Sequence, residues 1–536
     1  LYYYLSVSPK FHIEGLIAGS FYRQKIWGYD VRLAPRLAFP LCLSICCATS
    51  FAWADDTTIE LSPDWTKVVG TTRTQIAIQD CPEPPLYRGQ ATHDKVYQAL
   101  RDFKAHYSRL QPWYPYPKTA VVELKPPDKS GTYWDFTTMD ELVEDFMKAA
   151  DGQPVVFQPG TVPSWMTSSG PIEFPDDPKT IDWDYGRDGT IRDSTIQQFA
   201  AYQARLAGWY IKGGFNDEKG KWHSSKYHYK FDYWEPLNEE DQRFTPSDLT
   251  RMYDAAVEAV RQVDPSMKFM GPTIADSAGN SKYIIYFLNP KNHRAGVPVD
   301  MIAYHFYTQT EMDETPQVIQ YTLFRNADTL LSAVGYIESI RKEFMPQVPT
   351  DINELGSILQ PATYQHTLKP IPASWWIMSG AVWAYMYGHL AVQGIDVLTV
   401  AELMDYPAMF AGTNIVDWDT GVPNARYWVA KLLNDNFGPG DQIIQSPPSP
   451  GDAARAKKLD YGFELYAQAF ITPRGKRKIL LVNKRDHALD IAIAGASGGV
   501  EQDADADTIK MEPAHRISTD TVHLSASAVA VVTLPP

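Results

Sequence analysis

The sequence predicts an α/β fold: a (β/α)₈ TIM barrel with an accessory C-terminal β-sandwich domain. Three observations predict it. Between residues 74 and 436 short apolar runs alternate with helical patterns eight times, which implies a parallel sheet with crossover helices. Eight units over about 360 residues suit a closed barrel with insertions. The rival, a doubly wound open sheet, usually carries a Gly-rich phosphate loop after its first strand, and neither GxGxxG nor GxxxxGK[ST] occurs. After Phe437-Gly438-Pro439-Gly440 the helical period gives way to alternation with period two, the pattern of a β-sandwich.

Taken in order, the apolar runs predict strands at Gln75–Gln79, Tyr107–Gln111, Pro154–Gln158, Tyr229–Trp234, Lys268–Gly271, Asp300–His305, Thr350–Glu354 and Asp396–Val400. Helical periodicity predicts helices at Asp94–Lys104, Thr138–Ala150, Thr195–Ile211, Pro246–Val263, Lys282–Phe287, Ala327–Phe344, Ser374–Leu390 and Asn424–Asn434. Gln445–Ala453 is rich in Pro, Ser and Gly and reads as a linker. Beyond it, strands are expected at Phe463–Ile471, Lys478–Asn483, Leu489–Ala494, Thr508–Met511, Thr521–Ser525 and Val529–Leu534. The domains expected are a barrel over 74–440 and a sandwich over 441–536, with 55–73 an extended segment joining the sandwich.

Residues 1–54 read as processing rather than fold. Arg32 and Arg36 precede the mostly apolar Leu37–Phe51, and Ala52-Trp53-Ala54 forms an A-x-A site before Asp55-Asp56. That order is a secretory signal peptide; the apolar stretch is short of the roughly 20 residues of a membrane span. A buried N-terminal helix is the alternative. Residues 1–30 lie upstream of the basic region in a chain that does not begin with Met, as an overlong reading frame would. The expected protein is secreted or periplasmic after cleavage near Ala54.

Charge and cysteine usage narrow the function. The chain carries a formal net charge of −15. Without residues 1–54 it holds 44 basic and 62 acidic groups, a net of −18. A nucleic-acid binder normally carries a basic face, and anionic membranes repel such a surface. Cys42, Cys46 and Cys47 would leave with the signal, so only Cys81 remains and no intrachain disulfide forms. A lone Cys in an exported protein is expected to be buried. Aromatics reach 13%, compatible with sugar-stacking surfaces and equally with core packing.

Two segments carry chemistry. Phe231-Asp232-Tyr233-Trp234-Glu235-Pro236-Leu237-Asn238-Glu239-Glu240 ends strand 4 and Val348-Pro349-Thr350-Asp351-Ile352-Asn353-Glu354-Leu355-Gly356 ends strand 7. Catalytic groups of such barrels project from the C-terminal strand ends. Two carboxylates facing across that mouth suit glycoside cleavage: one protonated to release the leaving oxygen, the other ionised to attack the anomeric carbon. Asn beside the acid can bond the sugar 2-OH. An Asn-Glu dipeptide alone means nothing, and acidic residues mostly sit on solvated faces. The chain holds only these two, and each ends a strand.

At these segments the chain resembles a known family. Trp234-Glu235-Pro236-Leu237-Asn238-Glu239 is similar to the W-E-V-W-N-E-P segment of clan A retaining glycosidases, especially glycoside hydrolase family 39, which includes β-xylosidases and α-L-iduronidases. Asn353-Glu354-Leu355-Gly356 resembles the clan's strand-7 segment T-E-[WF]-[GN]. Asp300-Met301-Ile302-Ala303-Tyr304-His305-Phe306-Tyr307 is similar to D-x-I-S-x-H-x-Y of strand 6. The resemblance spans roughly Thr74 to the C-terminus. It implies Glu239 as acid/base and Glu354 as nucleophile. Pro236, Leu237 and Glu240 replace the family's Val, Trp and Pro, and Asn353 replaces Thr, departures that bear on substrate and subfamily. Glu235 matches the family's non-catalytic Glu and is the rival to Glu239.

Further candidates are substrate-binding: Asn238, His305, Tyr307, Trp165 and Trp113. His305 and Tyr307 would hold the nucleophile or touch sugar, against the alternative of a satisfied core His. Trp113-Tyr114-Pro115-Tyr116 and Trp165 follow strands 2 and 3, as subsite walls or as packing under the loops. Three motifs are dismissed. Gly495-Ala496-Ser497-Gly498-Gly499 fits GxSxG but lacks the helix a nucleophile elbow needs, and reads as a hairpin loop. Asp503-Ala504-Asp505-Ala506-Asp507 lacks the Gly and Glu of a calcium loop and reads as a solvated turn. No His spacing marks a metal. The expected function is a retaining, exo-acting, β-xylosidase-like glycosidase on plant-type oligosaccharides, with no cofactor. An α-L-iduronidase-like enzyme would need basic groups for a uronate. A catalytically silent carbohydrate-binding protein on the same scaffold is the non-enzymatic rival. Neither nucleic acid nor membrane is a partner, and nothing in the sequence sets an oligomeric state.

Overall fold

Eight parallel strands close into a barrel in chain order. The computed structural model describes residues 58–168, 170, 175–183, 185, 190–275, 277, 280–360, 371–404, 412–445 and 464–536. These belong to one unit, Thr57–Pro536. The candidate signal segment and most of the candidate linker lie outside the described residues. Barrel strands 1 to 8 are Gln75–Asp80, Tyr107–Leu110, Val155–Phe157, Tyr233–Trp234, Lys268–Ile274, Met301–Glu311, Thr350–Gln360 and Val397–Val400. Each overlaps one of the apolar runs of the sequence, and each expected helix is present after its strand.

Period-two alternation sorts each strand's side chains. Ala77, Val156, Tyr233, Met270, Ala303 and Val397 fill the barrel interior. Ile76, Ile78, Leu110, Phe157 and Ile302 pack outward with the helices. One step further along the inward rows, Gln79, Arg109, Glu235 and His305 replace apolar residues at the C-terminal end. The apolar layer therefore floors a polar one.

Four elements differ from expectation in their bounds. The helix after strand 6 spans Pro316–Phe344, starting well before Ala327. Thr315 accepts from the Val318 N–H, with Pro316 at the first position, a cap-and-proline start in a stretch of weak apolar periodicity. Strands 6 and 7 run on to Glu311 and Gln360, paired throughout their extensions. Tyr229–Phe231 precede strand 4 rather than belonging to it, and the Tyr229 N–H bonds Tyr210 O at 2.8 Å.

Gly214–Asn216 and Trp222–Ser224 pair as a two-stranded ribbon, and the strands flanking the barrel in sequence form two larger sheets. The seven-stranded sheet runs His515–Arg516, Val500–Ala504, Val529–Thr533, Arg477–Asn483, Leu465–Ile471, Gln442–Ile444, Val68–Thr71; the three-stranded sheet runs Ile59–Leu61, Leu489–Ile493, Thr521–Leu524. Ile479, Leu481 and Val532 share a core with Ile59, Leu61 and Ile491. Leu480, Val482 and Val531, one residue out of phase, join the barrel's outer core. Thr508–Met511 is not a strand. Asp505 accepts from the Asp507 N–H and Thr508 Oγ1, both at 3.0 Å, which makes a turn. Gln442–Ile444, Val500–Ala504 and His515–Arg516 are strands the pattern missed, and Val500–Ala504 takes Asp503 into the ladder opposite Ala530. Gly495–Gly499 thus connects two different sheets and is no hairpin.

Among the described residues no helix is long and apolar enough to cross a membrane.

Candidate active site

Glu235 follows strand 4 directly and is fully buried. It accepts from Arg109 Nε at 2.7 Å and Nη2 at 3.2 Å, Thr273 Oγ1 at 2.6 Å and Asn353 Nδ2 at 2.7 Å. Fully buried and held by four donors beneath the mouth, it is walled off from substrate.

Glu239 lies four residues further on, in the loop rather than the strand. Its backbone is left-handed at φ 55°, an uncommon state for a non-glycine residue that costs on the order of 1–3 kcal/mol and persists where the surroundings impose it. Its N–H donates to Thr273 O at 2.8 Å, tying the loop to strand 5. The side chain is partly exposed and accepts from Gln242 Nε2 at 3.0 Å.

Glu354 is set by strand register. His305 and Glu354 are direct neighbours across strands 6 and 7, as are Tyr307 and Gly356. Tyr307 Oη donates to Glu354 Oε2 at 2.7 Å. A Cβ on Gly356 would stand 2.9 Å from the Tyr307 ring and 2.9 Å from Ala401 O, so this glycine admits the ring. Glu354 Oε1 accepts from Arg109 Nη1 at 2.7 Å and Gln79 Nε2 at 2.9 Å.

The two carboxylates meet at His305. Its Nδ1 is 2.8 Å from Glu239 Oε1 and 3.2 Å from Glu354 Oε2. Among the described residues this trio is the set whose atoms converge as metal ligands do, within 4.8 Å of one another. Both His–carboxylate distances are hydrogen-bond lengths, so a shared proton accounts for the convergence.

The electrostatics follow. Burial works to raise the Glu354 carboxyl, but His305, Arg109 and the Tyr307 hydroxyl outweigh it and hold it below its usual range. Burial opposes charge on His305, and Glu354 and Glu239 override it, holding the imidazole above its ordinary value. Burial, then Glu354 and Glu402, push the Tyr307 hydroxyl well up, so it remains a donor. The site thus keeps Glu354 ionised.

Of the sequence candidates, Glu239, Glu354, His305 and Tyr307 come together directly. Asn238 joins through Arg109, whose Nη2 donates to its Oδ1 at 2.6 Å; an amide held by its oxygen presents its NH₂ outward. Trp165 is buried in the outer core and donates from Nε1 to Glu123 O at 3.0 Å. Trp113 packs with Cys81 and Tyr116. Neither tryptophan hydrogen-bonds the carboxylates. Sequence reading missed Arg109, Gln79, Gln111, Thr273 and Glu402. Arg109 was recoverable: an Arg on the same inward alternation as Tyr107 and Gln111 of a barrel strand is out of place without acidic partners.

Comparison with known proteins bears on the fold and on the family the chain resembles. Residues 205–369 match the model of glycosyl hydrolases family 39. No curated protein sequence matches the chain. Solved structures share the fold: a conserved exported protein from Bacteroides fragilis (14% identity, TM-score 0.57, 88% of this chain and 100% of that one), a GH51 arabinofuranosidase from Xanthomonas axonopodis pv. citri (12%, 0.56, 89% and 100%) and a monomeric β-xylosidase from Caulobacter crescentus CB15 (13%, 0.54, 89% and 100%). The matched segment carries both Glu239 and Glu354, and the chain is a glycoside hydrolase that resembles the retaining enzymes of family 39.

Proposed function

We propose that this is an exo-acting β-glycosidase of the β-xylosidase kind, cleaving plant-type oligosaccharides by double displacement. Glu239 protonates the leaving oxygen while ionised Glu354 attacks the anomeric carbon. A covalent glycosyl-enzyme forms, and Glu239 then activates the water that hydrolyses it. The Asn238 NH₂ donates to the sugar 2-OH.

The observation that carries this reading is the approach of the two carboxylates. One oxygen of each lies within 4.8 Å of the other beside His305, an approach that suits the roughly 5–5.5 Å separation of retaining enzymes better than the roughly 6.5–9.5 Å of inverting ones. The occupied Glu235 supports Glu239 as the acid/base. A neutral sugar is favoured over a uronate because Arg109 already bonds Glu235, Glu354 and Asn238. Export after cleavage near Ala54 is part of the same reading, resting on the Arg32-to-Ala54 pattern; N-terminal sequencing of secreted protein should find Asp55 or a close neighbour, and a mature form retaining Arg36 would refute it.

The test is a panel of aryl glycosides, with the first-formed anomer read by NMR. Retention is expected, with Glu354→Ala inactive on every substrate. An inverted product overturns the mechanism. A wild-type protein that binds sugars but cleaves none is the carbohydrate-binding rival.

A further inference from the structure

A sugar lying between Glu239 and Glu354 has a direction. Its leaving group must face Glu239, which follows strand 4, so its non-reducing end extends across the mouth toward the opposite side of the barrel, strand 8 and its neighbour strand 1. Gln79 Nε2 stands there, 2.9 Å from Glu354 Oε1, 3.0 Å from Gln111 Oε1 and 3.0 Å from Cys81 Sγ. Cys81 in turn packs against Trp113, and Ile181 and Trp183 pack on the same cluster.

Ile181 and Trp183 come from the loop after strand 3, which reaches back across the loops of strands 1 and 2. Tyr87 Oη donates to Pro178 O at 3.2 Å, and the Asp182 N–H donates to Pro115 O at 2.8 Å. The Ser164 N–H donates to Tyr185 Oη at 3.0 Å, holding the strap to its own strand's loop. Beneath it three rings lock edge to face: Trp113–Trp183 at 5.6 Å and 87°, Trp113–Tyr114 at 5.8 Å and 84°, Tyr114–Trp183 at 6.1 Å and 75°. Edge-to-face rings pinned at both sides form a rigid apolar barrier.

We propose that the strap 175–183, through Trp183 braced on Trp113 and Tyr114, is the wall that closes the glycone end of the cleft and limits it to one sugar residue. The proposal rests on the glycosidase reading above and adds to it the residue that sets exo action. A chain extended beyond the reacting sugar at its non-reducing end would meet indole rather than solvent.

The experiment uses the aryl monoglycoside the enzyme turns over and the aryl glycoside of its disaccharide. Wild type should free monosaccharide first from the latter, with a lag before the aryl alcohol appears. Trp183→Ala should free disaccharide and aryl alcohol directly, raising the ratio of direct disaccharide release to monoglycoside turnover by about tenfold or more, the scale of one pocket contact; Trp183→Leu should fall between. Direct disaccharide release by wild type overturns the proposal, and this arm needs no variant to fold. An unchanged ratio in a folded Trp183→Ala overturns it too. In both cases the glycosidase reading survives, whereas wild type inactive on every aryl glycoside removes that reading itself.

Discussion

Arg109 bonds two glutamates at once, Glu235 through Nε at 2.7 Å and Glu354 through Nη1 at 2.7 Å. The fork of a guanidinium permits this. One arm is spent on a carboxylate sealed in the barrel, and the other reaches the carboxylate proposed to attack the sugar. Glu235 thereby fixes the position of the charge that keeps Glu354 ionised.

Arg109→Lys should therefore weaken the nucleophile without removing positive charge. An ammonium cannot reproduce the planar fork. Glu354 loses part of what lowers it, so its pKa rises, and the acidic limb of the kcat/KM profile should move to higher pH by about one unit. Activity at the optimum should fall roughly 10–100-fold, the worth of a hydrogen bond to a charged group. An unmoved acidic limb would show that Arg109 does not set the charge state of Glu354.

Glu235→Gln separates the rival glutamates. The amide keeps the volume but leaves the buried Arg109 short of a charge partner, so slower turnover and lower thermal stability are expected, since breaking a buried pair costs about 3–5 kcal/mol. Added azide should not restore the rate. Azide acceleration in this variant would make Glu235 the acid/base.

Glu239→Ala should behave differently. A dinitrophenyl glycoside needs little protonation to leave, so glycosylation survives and a burst precedes a slow steady rate. On natural oligosaccharides the loss should be about 10²–10⁴-fold, the range of proton-transfer catalysis. Azide should speed the steady phase and give a glycosyl azide of retained configuration. Wild-type turnover of oligosaccharides by this variant would sink the assignment.

Stability should decline from mildly acidic to alkaline pH. Burial raises Asp351 to about 7, Asp80 to about 8 and Glu123 to about 9. Each holds a proton when folded that the unfolded chain releases above about pH 4. The stabilisation is complete below that value and is lost as pH rises through the folded pKa. Calorimetry between pH 5 and 9 should show Tm falling steadily, with a shallower fall in Asp80→Asn. A Tm constant over this range would contradict the buried protonated state.

The sequence by itself determined the barrel. Eight apolar runs, each followed by an amphipathic helix, leave few other ways to bury their surfaces, and the observed strands coincide with them. It also singled out Glu239, Glu354, His305 and Tyr307, because chemistry-bearing residues at strand ends stand out against apolar runs. Only the tertiary structure decided how they act. His305 and Glu354 are 49 residues apart in the chain, and strand register makes them neighbours. Glu235 and Glu239 carry equal charge, and only Arg109, Thr273 and Asn353, from strands 2, 5 and 7, tell the sealed one from the open one. The strap over Trp113 is likewise invisible in local pattern, because its anchors are a tyrosine hydroxyl and a backbone carbonyl on two other loops. Periodicity is a local consequence of burial and survives in one dimension; a pKa or a pocket wall depends on groups that converge only when the sheet closes.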